Sequence, residues 1–401
     1  MKIGIIGDTH FGAGYNLGKI DSATQLNSRL LDYKNTFNSI IDKHVAKGVK
    51  LIVLPGDIFE TKHPTSAQLN TFSRCIKRAV NKGLEVVIAA GNHDQQRAIS
   101  TTTLDIFNEL ELDNVTVYQN MGAHTILDGN RKINLFLMPY RDRRMIGSQA
   151  NSEAIEVISG RLDALVDKEG GDLKIAIGHF MLDKSAGDDN PDTFSINELI
   201  LPLSMFQNLD ATIMGHVHRH NVLSKKDPVI MYVGSMEKVS FGEQLHKKVS
   251  IILDTDDINK FEVIKTRVRP LYDMIFDYTE SNHRYKRTIN QKIIEDIDAF
   301  NAKHNTRNTI VKFFAKVQEG DLYHVNHNFI REHILSKDVK YLASMQIVSV
   351  SSRQLRNKDI TETVNTKEAF SSFISDQLET VSLKKKLLKY GAKIIKEVEG
   401  K

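Results

Sequence analysis

The chain has almost no cysteine. Its single thiol, Cys75, cannot close an internal disulfide. That excludes the cross-linked scaffold of a small secreted domain and fits a reducing compartment: the cytoplasm, or a host's cytoplasm if the gene is viral. Cys75 sits in "LNTFSRCIKRAV", which has helical spacing, so it reads as a packed thiol and not as a nucleophile. Long apolar runs are also missing, and none approaches the roughly 20 residues that span a bilayer. The opening "MKIGIIGD" reaches an aspartate too soon for a secretory leader and reads as a first strand. Neither repeats nor low-complexity tracts occur. Charge of one sign is scarce as well. The net charge is +4, and Val381 to Lys401 alone supplies +5, leaving the other 380 residues near −1. A body so balanced excludes recognition of a polyanion by bulk charge, so any such preference is local.

What is present is an ordinary globular composition, 41% hydrophobic and 26% charged, over 401 residues, enough for more than one domain. The first half alternates apolar strands ("KIGIIGD", "KLIVLPGD", "LEVVIAAGNHD", "KINLFLMPY", "KIAIGHF", "DATIMGHV", "PVIMYVGS") with helices ("LLDYKNTFNSIIDKHVAKG", "SAQLNTFSRCIKRAVNKG", "SEAIEVISGRLDALV"). A further helix is predicted from the capping box Ser195…Glu198. Continuous apolar strands between helices indicate an α/β fold with a sheet buried on both faces. The character changes near Val263–Pro270. The boundaries expected are 1–260 for the α/β core, 261–350 for a small α+β unit, 351–365 for a polar linker and 366–401 for two amphipathic helices.

The chemistry gathers at strand ends. Asp8 and His10 close the first strand, Asp57 the next, and Asn92, His93 and Asp94 another; His179 ends "IAIGHF", and His216 and His218 end "TIMGHVH". Each lies just after a glycine, at the carboxyl edge where open α/β sheets bind ligands. A core has no use for three carboxylates and five imidazoles along one edge, because burying them without partners costs several kcal/mol each. A divalent cation, or two, supplies the missing charge. The mixed oxygen and nitrogen set suits Mn²⁺, Fe or Zn, whereas Mg²⁺ and Ca²⁺ favour oxygen. Two ions about 3.5–4 Å apart would clamp a phosphoryl group for in-line attack, with a separate imidazole to protonate the leaving oxygen.

In this order, "GDTH", "GDIFE", "GNHD", "GHF" and "GHVH" resemble the calcineurin-like metallophosphoesterases over roughly residues 1–255. The resemblance implies a sheet-and-helix sandwich holding two divalent ions, Mn²⁺ foremost. Asp8, His10 and His218 would hold one ion; Asp57 would bridge; Asn92, His179 and His216 would hold the other. His93 would meet the phosphate and assist the leaving group. Glu60 lies where related enzymes carry an Asp or His beside that imidazole, so it is expected to orient His93. Asp94 reads as the cap of a following helix, and His220 as a partner of the ligands, a DNA contact or nothing.

Within that superfamily, "YVGSMEKVSFGE" (Tyr232–Glu243) is similar to the "GS…FGE" segment of SbcD-type double-strand-break repair nucleases, and the Asp-Arg-Gly pattern of phosphoprotein phosphatases is absent. This subfamily implies a Mn²⁺-dependent 3′→5′ exonuclease on duplex DNA and endonuclease on single strands. Residues 261–350 would form a DNA-binding cap, with Arg267, Arg269, Arg284, Lys286 and Arg287 meeting phosphates or merely forming a solvated basic face. Helices in 366–398 would dock on an SbcC-type, SMC-like ATPase. Their rival role is contact with DNA or acidic lipid through the lysines. A homodimer is expected, with helices 29–47 and 66–82 as contributors. The rival functions are a small-nucleotide phosphodiesterase or phosphatase, and a catalytically idle DNA-binding scaffold.

Overall fold

A computed structural model describes residues 1–95, 102–183, 197–279, 288–350 and 381–399, together with Phe370 and Ile374. In chain order, its first strands are β1 (Lys2–Ile5), β2 (Leu51–Leu54), β3 (Glu85–Ala89), β4 (Val115–Tyr118), β5 (Gly122–Asp128), β6 (Arg131–Met138) and β7 (Leu173–Gly178). A short pair, β8 (Met181–Leu182) and β9 (Ile200–Leu201), precedes β10 (Ala211–Met214), β11 (Asn221–Lys225), β12 (Val229–Tyr232), β13 (Val249–Asp254) and β14 (Glu262–Lys265). The helices among them are α1 (Ser28–Ala46), α2 (Ser66–Asn81) and α3 (Asn151–Glu169).

These strands build two sheets of six, not the single sheet their apolar character suggests: β14-β13-β1-β2-β3-β4 and β11-β12-β10-β7-β6-β5. The reason lies in the alternation along each strand. Ile3, Ile5, Val53 and Val87 of the first sheet share one buried cluster with Ile175, Ile177 and Ile213 of the second. The intervening Ile52, Leu54, Val86 and Ile88 meet Phe37, Ile40 and Ile41 of α1 and Phe72 and Ile76 of α2. On the far side, Phe136, Met138 and Met214 meet Ala154, Ile158 and Leu162 of α3. Both faces of every central strand are therefore buried, and the result is a mixed α/β sandwich of helix, sheet, sheet and helix. The helix starts are chemically marked. Asn27 caps α1 by accepting from the Arg29 amide, and Thr65 with Gln68 forms a capping box on α2.

Two expectations change. The helix predicted from Ser195 does not form in its described part: Glu198 is in loop, and Ile200–Leu201 is strand β9. The core also runs past residue 260, because β14 pairs antiparallel with β13. Packing divides the chain into one unit of Met1–Met274, Phe300–Lys312 and Glu332–Ser344, and another of Ile275–Ala299, Phe313–Arg331 and Met345–Lys401. The later elements are β15 (Leu271–Asp277), α4 (Ile289–His304), β16 (Ile310–Gln318), α5 (His327–Leu335), β17 (Tyr341–Val350) and α6 (Val381–Glu399), with a three-stranded sheet ordered β15-β16-β17. In the second unit Ile289, Ile293 and Ile297 are buried at helical spacing, and Phe313, Ala315 and Val317 at strand spacing. The linker 351–365 and most of the first predicted C-terminal helix lie outside the described residues. Among the described helices, none is long and apolar enough to cross a membrane.

Candidate metal centre

All seven expected ligands lie in the first unit, just beyond the carboxyl ends of β1, β2, β3, β7 and β10, where the two sheets present the same edge. The backbone there is unusual. Asp8 (φ 32°), His10 (φ 41°), Asp57 (φ 49°) and His216 (φ 85°) all adopt left-handed conformations. For residues other than glycine these are sparsely populated and cost about 1–3 kcal/mol each. Hydrogen bonds hold them: the His216 amide donates to Asp8 Oδ1 at 2.8 Å, the His10 amide to the Asp57 carbonyl at 2.9 Å, and the His93 amide to Asp57 Oδ1 at 2.8 Å. Glycine is required beside them. A Cβ on Gly91 would lie 2.2 Å from the Asp57 amide nitrogen, and one on Gly215 would lie 2.6 Å from the Pro55 carbonyl oxygen.

The side chains fall into two nests that share one oxygen. In the first, His10 Nε2 and His218 Nε2 face each other at 2.9 Å. In the second, Asn92 Oδ1 lies 2.9 Å from His179 Nε2 and 3.1 Å from His216 Nδ1. Asp57 Oδ2 stands between them, 3.6 Å from His10 Nε2 and 3.2 Å from His179 Nε2. Asp8 is fully buried, and its Oδ2 has no hydrogen-bond partner.

Behind each imidazole an oxygen lies close to the other ring nitrogen, and for His179 and His218 it accepts a hydrogen bond. His179 Nδ1–H donates to the Pro55 carbonyl at 2.8 Å, and His218 Nδ1–H to Glu243 at 2.7 Å. His10 Nδ1 lies 2.9 Å from Glu60 Oε2, and His216 Nε2 lies 3.1 Å from Glu198 Oε1. With Nδ1–H committed on His179 and His218, the Nε2 of each, turned inward, is left as the acceptor. Acceptors facing acceptors at such distances repel unless a cation or proton lies between them. Two donors about 2.0–2.1 Å from a common ion are themselves about 3 Å apart, which matches these contacts. The nests would suit two divalent ions with Asp57 serving both, and the Pro55 carbonyl and Glu243 would fix the His179 and His218 rings as such partners do in metal sites.

The electrostatics agree. Burial disfavours charge on His179, yet the Asp57 and Asp8 carboxylates push its pKa up to about 9. Burial would raise the Asp57 carboxyl, but the surrounding imidazoles, His179 first, hold it well below the usual range. Burial would likewise raise Glu243, but His218 and Lys248 bring it down to about 2. Each carboxylate and imidazole here thus holds its neighbour in the charged form.

Two sequence expectations are corrected here, for Glu60 and Arg269. The Glu60 side chain meets His10, not His93; it is the Glu60 backbone carbonyl that accepts from His93 Nδ1–H, at 2.7 Å. A bend that brings the backbone of Glu60 to one ring carries its side chain to the other. Asp94 accepts from the amides of Ile58, Phe59 and Gly91 and so ties the Asp57 loop to the Asn92–His93 loop, while the helix it was expected to cap lies outside the described residues. Arg269 is committed to a bidentate pair with Asp32 and to the Asn308 carbonyl, which removes it from the DNA-facing set. Arg267 is exposed, whereas Arg284, Lys286 and Arg287 lie outside the described residues. His220 donates from Nδ1 to the Tyr232 carbonyl at 2.7 Å.

A cleft of about 520 Å³ opens over the second nest, lined by Glu60, Asn92, His93, Tyr140, Glu198 and His216 and by the exposed Lys62 and His63. Sequence reasoning missed Tyr140, whose ring stacks on His216 and meets His179 edge-on. Its one signal was the tyrosine closing "KINLFLMPY" at the same sheet edge. It also missed Glu198 as a partner of His216, having taken it for a helix cap.

A model of the calcineurin-like phosphoesterase family matches residues 1–220, just over half of the chain, and the chain belongs to that family. Its members are metal-dependent phosphoester hydrolases with a dimetal site, and His10, Glu60 and His93, and Asp8, Asp57 and His179, form groups here that could hold a metal ion. Similar solved structures include a dimetal phosphatase from Danio rerio, at 9% identity and TM-score 0.37, covering 67% of this chain and 99% of that one. The protein TT1561 of Thermus thermophilus gives 14% and 0.38, covering 66% and 99%. A purple acid phosphatase from yellow lupin (Lupinus luteus) seeds gives 15% and 0.42, covering 66% and 51%. Likeness this distant carries no substrate.

Proposed function

We propose that this phosphoester hydrolase is the nuclease subunit of a DNA double-strand-break repair machine, acting in repair, recombination or replication. It would be Mn²⁺-dependent, degrading duplex DNA 3′→5′ and cutting single strands, as a homodimer under an SbcC-type ATPase. The observation that carries the chemistry is the pair of nests sharing Asp57 Oδ2, with His93 beside them on the cleft wall. Two ions held there, the first by Asp8, His10 and His218 and the second by Asn92, His179 and His216, would supply an activated water and neutralise the phosphate. The rest falls to the chain's own groups. His93 Nδ1–H is committed to the Glu60 carbonyl, so Nε2 is the atom that can hold a proton for the leaving oxygen. Lys62 offers a cation to the flanking phosphate.

The DNA substrate is supported by the "GS…FGE" segment, whose terminal Glu243 bears directly on His218. The ATPase partner is supported by α6, which leaves Leu387, Tyr390 and Ile394 exposed. The discriminating experiment offers Mn²⁺-loaded protein duplex and hairpin DNA, a cyclic mononucleotide and a phosphopeptide. Turnover of DNA at least tenfold more efficient than of the small substrates is expected. Preference for the mononucleotide or the phosphopeptide would replace the nuclease with the phosphodiesterase or the phosphatase.

A further inference from the structure

Of the four imidazoles, His218 has the most heavily built support. Glu243 Oε1 takes its Nδ1–H at 2.7 Å, and Glu243 Oε2 receives Lys248 Nζ at 2.6 Å and the Val239 amide at 3.1 Å. Lys248 Nζ also reaches Ser235 Oγ at 2.6 Å and the carbonyl oxygen of His218 itself at 3.1 Å. The Lys248 side chain is 0% exposed and that of Glu243 10%. The pair therefore closes a ring on His218, gripping its imidazole through Glu243 and its backbone through Lys248. Lys248 directly precedes β13, whose Ile251 is in register with Ile5 of β1, the strand that leads into Asp8 and His10. One strand pair thus anchors every ligand expected at the first ion apart from the bridging Asp57.

A buried ion pair is weak as a stabiliser, because desolvation offsets most of the attraction. Fold stability alone gives little reason for a fully buried lysine here. A carboxylate behind a ligating imidazole fixes its tautomer and makes the opposite nitrogen a better donor. We propose that Glu243 is a positioning residue for the metal centre, with Lys248 holding its carboxylate against His218, so that the pair sets affinity at the first ion and not at the second. This rests on the two-ion reading of the nests.

The test is calorimetric titration of Mn²⁺ into the metal-free full-length protein, paired with thermal unfolding in EDTA. Glu243→Gln keeps the shape but leaves Lys248 buried without its counter-charge. Glu243→Gln combined with Lys248→Met removes that orphan as well. Expected is a melting temperature that drops in the single variant and recovers in the double. One of the two ions should bind roughly 10- to 100-fold more weakly in both variants, with the other unchanged. Affinity that recovers together with the melting temperature, or never falls, would overturn the proposal by giving the pair a purely structural role. A wild-type protein that takes up no Mn²⁺ would instead remove the metal-centre reading itself.

Discussion

Asp57 does two things with one side chain, Oδ1 receiving the His93 amide and Oδ2 facing both nests, on a backbone that is left-handed. Replacing it should therefore not cost one ion but two. Asp57→Ala is expected to purify with neither ion, as read by elemental analysis of the folded protein, and full occupancy of either nest would contradict the bridge. Glu60 sits between two jobs in the same way, its carboxylate on His10 and its carbonyl on His93. The sequence places Glu60 correctly beside the chemistry but cannot say which atom does which, because that depends on how a single loop residue bends. Asp94 shows the same limit: its neighbour relations, across 36 residues to the Ile58 amide, are invisible in a local motif.

The motifs were legible because each is short, glycine-led and fixed to a strand end, so the five together mark one edge of the two-sheet sandwich. Their supports were not. Glu198 and Tyr140 come from loops with no repeating spacing, and nothing in the spacing of the "GS…FGE" segment assigns Glu243 a contact. The two-sheet arrangement was hidden for a different reason. A strand covered on one face by a helix and on the other by a second sheet has the same apolar run as a strand between two helix layers. Helix α1 makes its own prediction. His44 lies over Gly4 of β1, where a Cβ would come within 2.2 Å of its Nδ1, and its Nε2 contacts Ser250 Oγ of β13 at 2.9 Å. Burial, helped by Lys43, lowers its pKa to about 4. The unfolded chain then binds the extra proton first, so the stabilisation is full above pH ~6.5 and lost as pH falls towards 4, amounting to at most about 3 kcal/mol. Urea unfolding at pH 7 and pH 4 should show wild type losing more stability than His44→Gln; equal losses would contradict the assignment.

At the scale of the chain, the first unit carries every expected ligand and the cleft, while the second carries α6 and the greater part of α4. Charge is divided too, with the balanced body contrasting with seven lysines after residue 380. If α6 serves a partner and not the chemistry, a chain ending before Val381 should keep its Mn²⁺-dependent hydrolysis of a small chromogenic phosphodiester while losing co-purification with a cognate SMC-like ATPase. Loss of the diesterase activity itself would place α6 in the catalytic machinery instead. The most direct measurement follows duplex DNA labelled internally, with Mn²⁺, for wild type and His93→Ala at matched metal content by elemental analysis. The wild type should shorten the labelled strand from its 3′ end, and His93→Ala should hold the same two ions while losing roughly 10²- to 10⁴-fold in rate. A wild type inert on DNA, or a variant as fast as wild type, would contradict this account.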